Sequence, residues 1–339
     1  MDIKLAIVNS KSFGKYTNAI EELEKICKVS IMEIHKGVEG TTLAETFEGI
    51  HFIIATSYPR YDRFFFKNNK SVVSILIHGI STDNIDLKAA TEEGVVIVKV
   101  PGPVEREAVA ELTIGLIIDA LRHVTMASNK VREGKWSERG KYVGSEITSK
   151  VVGIVGVGNI GSRVAEILIK GFKAKVLAYD PYISAEKIKR MGLQPVTFDE
   201  LLQKSDIITI HCALTEETYH MFNENSFKKL KDGVIIINTA RGAIIDTNAL
   251  IKALEEKKVS AVGLDVIEGE PIEASHPLLR FDNVIITPHI GAYTLEALRG
   301  MDRTIVDSVK SLLKKEIPEN IVNKEVINNP RLRLKSLLI

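Results

Sequence analysis

Cysteine is nearly absent from this 339-residue chain: Cys27 and Cys212 stand alone and far apart. Two isolated thiols build neither a zinc cluster nor a disulfide framework. The eight histidines show no short ligand spacing with cysteine or acidic partners, so no metal is expected. An excess of one charge is missing too. Lys and Arg number 45 against 44 Asp and Glu, a net of +1, and no basic block appears. Nucleic acid and anionic membranes find no electrostatic footprint here. No apolar run reaches the roughly 18 residues of a membrane span. The stretch 112–121 is interrupted by Asp119. The opening MDIKLAIVNS lacks the basic and long apolar regions of a secretory signal, so the reading is a cytosolic protein. Low-complexity tracts and solenoid repeats are also lacking. What remains, 45% hydrophobic and 26% charged residues, is the composition of an ordinary globular protein. At about 150 residues per domain, the length suggests two domains.

Short β-branched runs alternate with helical stretches along the first hundred residues. Strands are expected at 5–8, 29–32, 52–55, 72–76 and 95–98, with helices at 19–26 and 84–93. Such alternation favours a parallel sheet covered by helices. Pro101-Gly102-Pro103 is the strongest turn signal, and one long helix is expected from 104 to 126. A second series then offers strands at 151–155, 175–179, 206–210, 234–238, 262–265 and 284–286. Helices are expected at 159–170, 198–203 and 247–255, and a last one over 293–315. Six strands with interleaved helices match a full dinucleotide-binding fold.

Gly156-Val157-Gly158-Asn159-Ile160-Gly161 follows the apolar strand VVGIV and opens a helix. In this pattern the first glycine permits a tight turn and the second lets the backbone approach a pyrophosphate. The third allows close helix–strand packing. The helix start offers unpaired N–H groups and a positive dipole end to the phosphates. Asp180, 19 residues after Gly161, ends the next strand, where a carboxylate can accept hydrogen bonds from ribose hydroxyls. The same charge repels a 2′-phosphate, so NAD is preferred to NADP.

Arg241, Glu270 and His289 each follow an expected strand, within NTARG, DVIEGEP and TPHIG. Open α/β sheets place ligand-contacting residues at these ends, so the three converge on one crevice. Together with His78-Gly79, the TDNID string from Thr82, Pro101-Gly102, AVAE from Ala108 and GLDV from Gly263, these motifs resemble the D-isomer-specific 2-hydroxyacid dehydrogenase family. The resemblance covers about residues 45 to 315 and is specific through the order of its motifs. Formate dehydrogenases of the family carry Gln at the position of Glu270, so that branch is disfavoured.

The resemblance implies an α/β fold of two Rossmann-like domains. A flavodoxin-like substrate domain, 1–101 and 290–339, is interrupted by a doubly wound NAD-binding sheet over 102–289. Hinge closure between them is expected to expel water. Arg241 binds the substrate carboxylate and polarises the 2-oxo group, a task its planar fork suits. His289 is the acid/base, and Glu270 pairs with it and favours the imidazolium. Backbone N–H groups around His78 and Gly79 hold the carboxylate, with Ser57 beside them. Thr239, Ala240, Asp265, Gly291 and Ala292 line the cofactor, as does the loop Ala213, Leu214, Thr215, along with Gly156, Gly158, Asn159, Ile160, Gly161 and Asp180.

The implied activity is NAD(H)-dependent interconversion of a short 2-oxoacid and its D-2-hydroxyacid, with glyoxylate, hydroxypyruvate or 3-phosphohydroxypyruvate as substrate. A phosphoglycerate dehydrogenase is one alternative. A corepressor-like binding protein that senses NAD(H) is another, disfavoured by the lack of disordered arms and of a peptide-docking signature. The two arginines that hold a substrate phosphate in relatives are replaced by Thr56 and Ile77. Ile77 is expected to present hydrocarbon to the substrate tail and to disfavour a phosphorylated substrate, although Arg60 and Arg63 lie nearby. Family members dimerise through the NAD domain, so a homodimer is expected, with Trp136 as an interface anchor.

Overall fold

The computed structural model describes residues 3–35 and 37–337. The chain forms two compact units: unit 1 runs to Glu105 and resumes at Tyr293, and unit 2 is Arg106–Ala292. Unit 1 holds five parallel strands, β1 (Lys4–Val8), β2 (Lys28–Met32), β3 (Phe52–Ala55), β4 (Ser74–Ile77) and β5 (Val96–Lys99). Their spatial order is β2-β1-β3-β4-β5, which is the flavodoxin-like order. β3 and β4 are buried at every position, as strands covered on both faces must be. Helices α1 (Ala19–Glu24), α2 (Gly40–Thr46), α3 (Arg63–Asn68) and α4 (Leu87–Glu92) connect them.

Sequence reading missed α2 and α3. Each has seven residues or fewer, too short to display a 3.6-residue period. What starts α3 is a cap: Asp62 accepts from the Phe65 N–H at 2.8 Å, and Phe65 and Phe66 then enter the core.

The expected helix 104–126 is two helices, α5 (Gly102–Arg122) and α6 (Val124–Arg132). His123 between them sits in the left-handed region at φ 55°. Asp119 explains the break, because its carboxylate accepts the Thr125 N–H at 2.8 Å and the Thr125 hydroxyl, capping the second helix. No residue of α6 is buried.

Unit 2 carries seven parallel strands in the order β12-β11-β10-β9-β6-β7-β8. They are β6 (Val151–Val155), β7 (Lys175–Tyr179), β8 (Gln194–Pro195), β9 (Ile207–Ile210), β10 (Val234–Asn238), β11 (Val259–Leu264) and β12 (Val284–Ile286). Six were expected. The seventh, β8, is a two-residue edge strand ending in proline, which has no N–H to give a central ladder. β11 starts three residues before the expected 262 and stops before Asp265. Helices α7 (Asn159–Phe172), α8 (Ala185–Arg190), α9 (Phe198–Lys204), α10 (Glu224–Lys229) and α11 (Thr247–Glu255) cover the sheet, and the chain returns to unit 1 through α12 (Leu295–Leu313). The strand order reverses between β6 and β9, the position where such sheets open a ligand crevice. Among the described residues, no helix is long and apolar enough to cross a membrane.

Candidate active site

The turn after β6 meets the demands of a pyrophosphate cradle at each glycine. Gly156 has φ 87°, and a Cβ there would lie 2.7 Å from the Cys212 nitrogen. A Cβ on Gly161 would lie 2.0 Å from the Gly156 carbonyl oxygen, so helix and turn touch backbone to backbone. Gly158 has no neighbour within 4 Å, leaving its surface open to a ligand. Asn159 and Ile160 begin α7, whose first N–H groups have no intrahelical acceptor.

Asp180 accepts the N–H of Val157 at 2.9 Å and that of Tyr182 at 2.9 Å. It thus braces the turn itself, and with about four acceptor directions on a carboxylate it retains capacity for ribose hydroxyls. The loop after β9 is closed by Thr218, whose hydroxyl donates to the Ala213 carbonyl at 2.7 Å and accepts the Thr215 N–H at 2.8 Å. Leu214 packs into the core below. These donors and spaces fit a dinucleotide.

Arg241, Glu270 and His289 follow three adjacent strands, β10, β11 and β12. The Nδ1 of His289 is bonded to the Glu270 carboxylate, whose other oxygen accepts the Ile267 N–H at 3.0 Å. That bond leaves Nε2 as the atom free to exchange a proton. The hydrogen bond from His289 to the Glu270 carboxylate raises the His289 pKa above its ordinary value; burial and the Arg241 charge oppose this without cancelling it. Burial pushes the Glu270 carboxyl upward, but the bond and charge of His289, the Ile267 N–H and Arg241 hold it below the usual carboxylate value. Both shifts thus favour the ionised pair. His289 also holds φ 55°, a left-handed conformation that non-glycine residues adopt only where surrounding structure enforces it.

Asp265 supplies that enforcement. Its side chain is 2% exposed and accepts from the Thr287 hydroxyl at 2.6 Å, the Ile290 N–H at 2.8 Å and the Gly291 N–H at 2.7 Å. Its carbonyl takes the His289 N–H at 2.9 Å. Asp265, expected to line the cofactor, also folds the His289 loop through these bonds. Thr239 is buried, with its hydroxyl 2.9 Å from that of Thr113, and Ala240 donates its N–H to Asn238 at 3.0 Å. Ala292 lies half-buried at the end of the loop.

In unit 1 the outcome differs from expectation at two positions. The imidazole of His78 faces inward, its Nε2 2.9 Å from Asp302, and the backbone N–H of His78 is held by the Ala55 carbonyl at 2.8 Å. His78 therefore has no backbone N–H left for a substrate. Among the described residues, the N–H groups of Gly79 and Ile80 donate to no acceptor, which moves the candidate carboxylate site one residue on. Ile77, expected at the substrate tail, is 2% exposed and belongs to the core. It cannot screen a substrate. Ser57 and Arg60 are exposed, and Arg63 is bound to Glu92 at 2.7 Å. Sequence reading also overlooked Asp302, which carries no local signal, and gave Gly242 no role beyond its place in the NTARG motif.

Residues 114–291 match the family model described as "D-isomer specific 2-hydroxyacid dehydrogenase, NAD binding domain". The chain belongs to this family. Members are NAD-dependent oxidoreductases acting on the CH–OH group of 2-hydroxyacids. The chain is 38% identical to a D-3-phosphoglycerate dehydrogenase of Archaeoglobus fulgidus, over 86% of its own length but only 55% of that relative's. With a glyoxylate reductase of Thermococcus litoralis it shares 36% identity over 92% of this chain and 95% of the relative. A D-lactate dehydrogenase from Aquifex aeolicus, solved with NAD and lactic acid, superposes with a TM-score of 0.84 at 29% identity. That alignment covers 94% of this chain and 99% of that one.

The Glu270–His289 pair makes a pH prediction for this family member. A raised histidine pKa keeps the imidazolium to higher pH, and reduction consumes that proton. The rate of 2-oxoacid reduction should therefore fall only on the alkaline side, above the ordinary imidazole value of about 6.5. Glu270→Gln removes the negative partner, so the alkaline limb of its kcat/KM profile should move to lower pH. Coincident limbs in both proteins would separate Glu270 from the acid/base step.

Proposed function

We propose that this protein reduces a short 2-oxoacid to its D-2-hydroxyacid with NADH. The observation that carries the reading is the Glu270-bound His289 with Nε2 unengaged, on the loop beside those bearing Arg241 and Glu270. The turn 156–161, the start of α7 and Asp180 would hold the cofactor. NAD(H), when bound, supplies or takes up the hydride. His289 holds the proton at Nε2 and passes it to the carbonyl oxygen during reduction, taking it back in oxidation. Arg241 clamps the carboxylate and polarises the 2-oxo group. In unit 1, the Gly79 and Ile80 N–H groups, which donate to no acceptor among the described residues, would hold a carboxylate. Units 1 and 2 act as substrate and cofactor domains respectively, in the cytosol.

The test follows NADH consumption with glyoxylate, hydroxypyruvate and 3-phosphohydroxypyruvate in parallel, in wild type and Asp180→Ala. Turnover of at least one oxoacid with NADH preferred to NADPH is expected, and Asp180→Ala should erode that preference and weaken NADH binding. No turnover on any of the three would remove this reading. Glyoxylate and hydroxypyruvate are favoured over the phosphorylated acid because Thr56 replaces one phosphate-binding arginine and Arg63 is engaged by Glu92. Arg60 is the cation left near Ser57.

A homodimer through unit 2 is part of the same proposal. Val124, Val131, Trp136 and Val143 are 52%, 48%, 71% and 82% exposed, on a segment where α6 buries nothing. Large apolar side chains exposed along one segment fit a surface covered by a second copy. Sedimentation as a single 37.5 kDa species would exclude it.

A further inference from the structure

Within unit 1, a histidine and an aspartate are sealed together away from any solvent. The side chains of His78 and Asp302 are each 1% exposed, with Nε2 and Oδ1 2.9 Å apart. The other oxygen of Asp302 accepts the Thr17 hydroxyl at 2.6 Å and the Gly14 N–H at 3.1 Å. Phe13 sets its ring edge-on to the imidazole, with centroids 5.2 Å apart. Three segments remote in sequence thus meet at one carboxylate: the loop after β1, the end of β4 and α12. Nothing in the proposed reaction uses this pair directly.

We infer that the buried His78–Asp302 pair is a positioning device for the Gly79 and Ile80 N–H groups, which take the substrate carboxylate. The inference rests on the reading proposed above. Removing a buried pair as a unit and packing the space with apolar side chains is often harmless to stability, so stability alone does not account for it. What a hydrogen bond supplies and a methyl contact does not is direction. Position 78 is held from one side by its own N–H on Ala55 of β3 and from the other by its ring on α12. The next residue is fixed in turn, because the Gly79 carbonyl accepts the Val100 N–H at 3.0 Å. With these points set, the free N–H groups that follow have a single orientation. The pair does not touch substrate; it acts through the backbone.

The test compares wild type, His78→Gln and the double variant His78→Leu/Asp302→Leu. The double variant removes both polar groups and leaves no buried charge behind, whereas glutamine keeps an N–H donor for Asp302. Steady-state kinetics with glyoxylate or hydroxypyruvate, whichever wild type turns over, are read beside NADH affinity by fluorescence and folding by circular dichroism. The double variant should fold and bind NADH as wild type does, and hold kcat at saturation. Its KM for the oxoacid should rise about ten- to a hundredfold, the scale of a misplaced binding group. His78→Gln should recover most of that loss. A double variant with wild-type KM, or one that does not fold, overturns the inference. Wild type without oxoacid turnover removes the functional reading itself, and the two failures are told apart by that first measurement.

Discussion

Replacing His289 by alanine should lower kcat for oxoacid reduction by about two to four orders of magnitude, the usual worth of positioned proton transfer. The reason is local. Nδ1 is committed to Glu270, so Nε2 is the group on this loop able to deliver a proton near neutrality. Glu270 cannot take over, because its second oxygen is occupied by the Ile267 N–H and its pKa is lowered rather than raised. NADH affinity should hold, since the pyrophosphate cradle lies on the turn after β6, on the far side of β9 and β10. Free imidazole restoring part of the rate would locate the loss at the proton. A variant that turns over like wild type would remove His289 from the chemistry.

The second large effect is expected at a residue with no functional group. A Cβ on Gly242 would lie 2.0 Å from the Ile267 carbonyl carbon and 2.2 Å from the Glu268 nitrogen. Both atoms are backbone, so no side-chain rotation relieves the clash, and the loops after β10 and β11 must part. Arg241 precedes Gly242 on one loop, and Glu270 follows on the other. Gly242→Ala should therefore lose about a hundredfold in kcat/KM, as misplacement of binding groups by about an ångström does. It should also lose about 1–3 kcal/mol of stability through overpacking. Thermal melts and NADH titration check that the variant is folded and still holds cofactor. Wild-type kcat/KM in a folded Gly242→Ala would mean that the two loops separate without moving the Arg241 or Glu270 side chain.

Much of unit 2 is legible in the sequence because its signals are local. β6, β7, β10 and β12 are apolar runs bounded by turn residues, and their expected limits match the structure. The glycines of the turn after β6 report steric demands written into adjacent positions. Arg241, Glu270 and His289 are readable because each stands a few residues past a strand that announces itself. Sheet adjacency then brings them to neighbouring loops, and the Glu270–His289 bond follows.

Other features were decided by partners far away in the chain. Ile77 and His78 are expected beside the substrate from sequence, yet the core claims one and Asp302, 224 positions away, claims the ring of the other. The same holds for Asp265, whose carboxylate was free in the sequence and in the structure folds the His289 loop through donors 22 to 26 positions on. Alternation and turn chemistry act over a few residues, so the sequence alone determined which strands form and which loops follow them. Which way a polar side chain faces depends on where its hydrogen bonds can be satisfied once water is excluded, and only the tertiary structure decided that.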